Sequence, residues 1–152
     1  MKGFFSAIAV TALVTVAAVS NAHEGATGVA KDRMDLMQGM SKDMKEIARR
    51  VNANRDLAAI GVIAKHIHDS APQIVGLFPV GSGTGITDAK PEIWRDWKGF
   101  EGKARMLETE SAALAATASS GDPKVIGAQF TALIRACTGC HTDFRRGKAD
   151  RY

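Results

Sequence analysis

Three side chains near the C-terminal end hold the densest chemistry in the chain: Cys137 and Cys140, the sequence's two cysteines, and His141, in the run Cys-Thr-Gly-Cys-His. This C-x-x-C-H spacing reads as a site of covalent haem c attachment. Two thiols add to the porphyrin vinyl groups, and the adjacent imidazole is left to hold the iron from one face. On an α-helix the three positions are related as i, i+3 and i+4, so they project from one side toward a flat cofactor. Paired cysteines serve two other chemistries, a thioredoxin-type redox disulfide and half of a zinc site. The first needs a βαβ setting and the second needs more ligands nearby, and the flanking sequence supplies neither.

The N-terminal end names a compartment. Lys2 precedes an uncharged, largely apolar run over residues 3–19, followed by Ser20-Asn21-Ala22 with small residues where a signal peptidase requires them. A secretory signal peptide over residues 1–22 is expected, cleaved after Ala22. A retained membrane anchor is the competing reading, but the run sits near the lower limit for spanning and Thr and Ser dilute it. Export places the two thiols in an oxidising space, where they form a disulfide unless haem claims them.

No later stretch is long and apolar enough to span a bilayer, so the expected mature chain is a periplasmic protein without stable membrane insertion. Residues 23–152 suit one domain with one core, too few for a catalytic domain beside an electron-transfer domain. Loss of Lys2 leaves 19 of the 20 Lys and Arg against 16 Asp and Glu. These charges are scattered rather than striped, so the pI near 9.3 is no nucleic-acid footprint and no nucleic-acid partner is expected.

The elements that must position the motif all read as helices. Val29, Met37, Met40, Met44, Ile47 and Val51 recur at helical spacing over residues 28–51, and Asn52 and Asn54 stop the pattern. A second helix from Arg55 carries Leu57, Ile60, Ile63, Ala64 and Ile67, meets a boundary or kink at Pro72, and ends at Phe78-Pro79. Residues 80–87, with three glycines, form a loop. A third helical region over residues 91–118 is expected to break near Gly99 and Gly102 and to carry Met106, Leu107, Leu114 and Ala118 inward. The last helix opens with Asp122 as N-cap and Pro123 in its first turn, and closes at Gly147. No run alternates as a strand would. The expected fold is all-α, an antiparallel up-down four-helix bundle over residues 23–152. Ile126, Phe130, Leu133, Cys137, Cys140, His141 and Phe144 share one stripe of its last helix, so one covalently bound haem c would form part of the core.

These motifs resemble the class II cytochromes c, the cytochromes c prime and their low-spin relatives, over nearly the whole mature chain. The likeness rests on Cys137-Thr-Gly-Cys140-His141-Thr-Asp-Phe144-Arg145, on Phe78-Pro79 before a Gly-rich loop, on Ile93-Trp94 opening the third helix, and on Arg33 in the first. It implies a four-helix haem bundle whose distal position lies four residues after Arg33, at Met37. Relatives with an apolar non-ligand there tend to be five-coordinate and high-spin, and those with methionine six-coordinate and low-spin. Methionine opposite histidine raises the reduction potential.

Met40 and Met44 read instead as core packing, and Met34 as the reserve ligand. Arg33 fits bidentate pairing with a haem propionate, a role toward which the resemblance also points; a solvated arginine is the plainer reading. Arg145, one turn after His141, resembles the family's proximal arginine, although compensation of the helix dipole explains it equally well. His66 and His68 read as one polar face, and Trp94, Trp97 and Phe100 as packing.

Two functional classes follow. The first is a non-enzymatic monohaem electron carrier, held by His141 and Met37, that docks transiently with redox partner proteins. The second is a five-coordinate protein that binds or scavenges nitric oxide or carbon monoxide. The resemblance also admits a homodimer through the first two helices. A peroxidase is poorly served, since no distal His and Arg pair stands out.

Overall fold

The computed structural model describes residues 26–147. The expected signal peptide and its cleavage site lie outside them, and none of the described helices is long and apolar enough to cross a membrane. The helices are α1 (Gly28–Ala53), α2 (Ile60–Ser70), α3 (Gln73–Gly76), α4 (Glu92–Arg95), α5 (Trp97–Ala118) and α6 (Pro123–Phe144), with a 3₁₀ turn over Leu57–Ala59. The four long ones build an antiparallel up-down bundle. α2 packs on α1 and α5, and α5 packs on α6, whereas α6 meets α1 only sparsely.

Each boundary has a local cause. α1 runs two residues beyond the expected Val51 and stops where Asn54 turns left-handed (φ 47°), a conformation Asn tolerates better than most side chains. Asp56 is left-handed too (φ 53°), so the second helix begins as a 3₁₀ turn rather than at Arg55. At Pro72 the helix breaks into α2 and α3. α6 opens as its sequence suggests, with the Asp122 carboxylate accepting from the Lys124 and Val125 N–H groups and Pro123 in the first turn.

Three expectations need correction. The break in the third helical region falls at Asp96 (φ −119°, ψ 61°), whose carboxylate caps α5 by accepting from the Gly99 N–H. Gly99 does not break the helix: its N–H is the donor to that cap, and a Cβ there would make the Asp96 carboxylate shift. α6 ends at Phe144 instead of Gly147, because Arg145 becomes extended and pairs with Ala89 in an isolated antiparallel bridge. Met106 is 51 % exposed. The buried stripe of α5 is Ala104, Leu107, Ser111, Leu114 and Ala118, stepping by three or four and leaving position 106 outside it.

The core is one cluster of mostly aliphatic side chains with an aromatic group beside the motif. Ile47, Ile60, Ile67, Leu114, Ile126 and Leu133 are fully buried, each contributing roughly 1.5–3 kcal/mol by leaving water. In that group Phe78, Phe100 and Phe144 stack edge to face at 4.8 and 5.4 Å, the geometry that ring quadrupoles prefer. Phe144 belongs to α6 and Phe100 to α5, so this aromatic file braces the two helices beside the C-x-x-C-H motif.

Candidate functional site

A cavity of about 540 Å³ fills the space where α1 and α6 part. Its volume and mainly apolar wall fall in the range of small-molecule and cofactor sites. From α6 come Cys137, Cys140, His141, Phe144 and Arg145; from α1 come Arg33, Met34, Met37, Met40 and Met44. Phe100, Lys103 and Leu107 of α5 form the floor, and Ile86, Thr87, Asp88 and Ala89 of the long loop complete the rim. Every residue that the sequence singled out for the cofactor therefore lines one cavity.

The electrostatics of the α6 wall favour uncharged donors. Burial pushes both thiols up, Cys140 to about 11, so at neutral pH they are thiols. A zinc site or a nucleophilic redox pair needs thiolates, and reactive cysteines have lowered pKa values. Thioether formation with a vinyl group starts from the thiol, so the donor set fits haem c better than either competitor. His141 is exposed at the cavity rim. Burial by the surrounding protein and then the Arg145 cation push its pKa down, which favours the neutral imidazole that a metal binds.

On the α1 wall, Met40 is buried, whereas Met34, Met37 and Met44 are half-buried. All four thioethers line the cavity, so Met40 and Met44 pack the core and border the site at once. Arg33 is 5 % exposed. Its Nε donates to the Leu77 carbonyl, Nη1 to the Ser82 carbonyl at 2.9 Å and Nη2 to Ser82 Oγ, and burial lowers its pKa. Arg145 is exposed and pairs with Asp88 at 3.4 Å. His68 is half-buried with Nδ1 3.1 Å from the Glu108 carbonyl, while His66 is exposed. Trp94 donates to the Phe78 and Pro79 carbonyls, and Trp97 to Glu101.

Four partners escaped the sequence. Ser82 and the Leu77 carbonyl hold Arg33, Asp88 holds Arg145, and Lys103 pairs with Asp143 at 2.9 Å. Each partner is 40 or more positions from its mate, beyond any spacing rule for a single helix.

Comparison with known proteins gives the same picture. The family model for cytochrome c prime matches residues 28–145. Cytochrome c prime of Rhodospirillum rubrum is 30 % identical over 142 residues, covering 91 % of this chain and 95 % of that protein. Among solved structures, a nitric oxide complex of a variant cytochrome c prime from Alcaligenes xylosoxidans superposes with a TM-score of 0.70 at 25 % identity, covering 78 % of this chain and 94 % of the other. A cytochrome c prime with ligand-controlled dimer dissociation superposes with a TM-score of 0.72 at 22 % identity, covering 78 % and 95 %.

Proposed function

This chain belongs to the cytochrome c prime family, whose members carry one covalently attached haem c, and we propose that it is a periplasmic electron carrier in which His141 and Met37 would hold the haem iron. The monohaem c-type cytochrome is the premise; the axial pair, the traffic in electrons and the periplasmic address are the proposal. Haem c supplies a one-electron iron couple. The chain's task is to hold that couple in a dry slot with little rearrangement between its two states.

Cys137 and Cys140 tether the group covalently from α6, and the helical spacing of the motif leaves His141 on the same wall as a neutral imidazole. Met37 presents a thioether from α1 without adding charge to an apolar site. Phe100, Phe144 and Leu107 give the slot an apolar wall, and a thioether paired with an imidazole would favour the ferrous state and a higher potential. Electrons would enter and leave where the slot opens between α1 and α6, through transient docking of redox partner proteins.

The observation that carries this reading is the meeting of His141 and Met37 in one cavity between two helices that otherwise scarcely touch. Met37→Ala tests it. The variant should turn high-spin and its reduction potential should fall, measured by electron paramagnetic resonance and redox titration. An unchanged spectrum and potential would remove Met37 from the iron.

The gas-binding alternative is favoured by one finding, the nitric oxide complex of the Alcaligenes relative. It requires Met37 to stay off the iron, so the same variant decides between the two. A homodimer through α1 and α2 belongs to the proposal as well. Val62, 63 % exposed on α2, supplies an apolar contact for a second copy.

A further inference from the structure

Arg33 is a charged side chain almost wholly removed from water, which is costly unless its donors are satisfied. Three of its N–H donors go to Leu77 and Ser82, and its guanidinium carbon lies 4.1 Å from the Phe78 ring centroid, a cation–π contact. One side chain of α1 thus fastens the start of the long segment over residues 78–90. The other end of that segment is fastened to α6. The Lys90 N–H donates to the Phe144 carbonyl at 3.0 Å and the Arg146 N–H to the Asp88 carbonyl at 2.8 Å, while Ala89 pairs with Arg145.

Between these anchors the segment is held inward by Trp94. Its indole N–H reaches the Phe78 and Pro79 carbonyls at 3.0 and 3.1 Å. Its ring lies so close to Gly83 that a Cβ there would come within 2.6 Å. Residues 78–90 are therefore a strap, running beside the cavity from the helix that carries Met37 to the helix that carries His141. α1 and α6 share few direct contacts, so the strap adds a tie between them to the packing that α1 makes on α2, α2 on α5 and α5 on α6.

We infer that Arg33 is a positioning residue for the distal face, clamping the strap to α1 and so holding Met37, one turn further along, at the right reach across the cavity. The role rests on the Met37 reading, although the clamp is measurable without it. It also differs from a purely electrostatic role toward an anionic group of the cofactor. The clamp needs a planar fork with several donors, which lysine lacks; attraction of an anion needs charge alone, which lysine keeps.

The test compares holoprotein of the native sequence with Arg33→Lys and Ser82→Ala. Hydrogen exchange of the Ser82 amide, which donates to the Pro79 carbonyl at 3.2 Å, reads the clamp, and the rate of carbon monoxide binding to the reduced protein reads the reach of Met37. Arg33→Lys should speed both by about tenfold or more, the protection that one charged hydrogen bond supplies. Ser82→Ala should fall between, because the Leu77 and Ser82 carbonyls still accept. It also keeps the test open should Arg33→Lys fold poorly.

Unchanged exchange in both variants overturns the clamp. Faster exchange with an unchanged, slow gas rate overturns the positioning role alone. Prompt gas binding by the native protein overturns the Met37 ligation together with the positioning role, while exchange still decides the clamp.

Discussion

At the residue scale, the four methionines of α1 show how one side-chain type serves two purposes on one helix. All border the cavity, yet Met40 is 7 % exposed and packs into the core beside Met37 and Met44. Met40→Ala should therefore cost about 2–5 kcal/mol in chemical denaturation, as truncation of a buried methionine does, and leave the haem spectrum as it is. A change of spin state in that variant would put Met40, not Met37, on the iron. The motif itself was readable from sequence because C-x-x-C-H is local and each member has one chemical duty. The partners of Arg33 and Arg145 were not, because they are backbone carbonyls and side chains brought close by the fold. Nothing in the residue types of Leu77, Ser82 or Asp88 announces them.

At the element scale, what the sequence disclosed depended on whether an end is set by a local cap or by a distant partner. The start of α6 was legible because Asp122 and Pro123 act on neighbouring groups. Its end was not, since Arg145 leaves the helix to pair with Ala89, more than fifty positions away. The break at Asp96 was misread in a different way. Glycines look like helix breakers by propensity, but Gly99 sits inside α5 and donates its N–H to the capping carboxylate of Asp96.

The C-terminal turn of α1 gives an electrostatic prediction. Glu46 is bonded by Arg49 at 2.7 Å and by Arg50 at 2.8 Å, and Arg50 lies 3.6 Å from Asp56 in the following turn. The Arg49 guanidinium, partly opposed by desolvation and aided by Arg50, holds the Glu46 carboxyl down at about 2 from an ordinary 4.5. A depressed carboxylate pKa contributes stability above the unfolded value, and that contribution is lost as pH falls from about 4.5 toward about 2. Exposure to solvent and salt keeps it small. At low salt the protection factors of the amides in the last turn of α1, taken relative to the intrinsic exchange rate at each pH, should fall as pH drops through that window, and Glu46→Gln should abolish the fall. A Gln variant with the same pH profile would assign the effect to another group.

At the scale of the whole molecule, the bundle is built around a space it cannot fill alone. Without the cofactor its mainly apolar wall of about 540 Å³ would stand open to water, and the burial that this wall gains from a bound haem would be lost. The Cys137→Ala, Cys140→Ala double variant should carry no covalently bound haem in its denatured intact mass. It should also unfold less cooperatively in calorimetry, because α1 and α6 meet only sparsely and their facing apolar walls would be left without an occupant. A sharp native-like transition in haem-free protein would show that the helices close over the gap. Dimer formation belongs to this scale too. Val62→Asp should shift sedimentation toward the monomer, and an unaltered profile would remove α2 from the interface.

The pairing of His141 and Met37 across one slot is the central claim, and the absorption spectrum of the oxidised native protein tests it most directly. With Met37 on the iron, the spectrum should be low-spin ferric with a methionine-to-iron charge-transfer band. A high-spin spectrum lacking that band would contradict it and place the protein among the gas-binding members of its family.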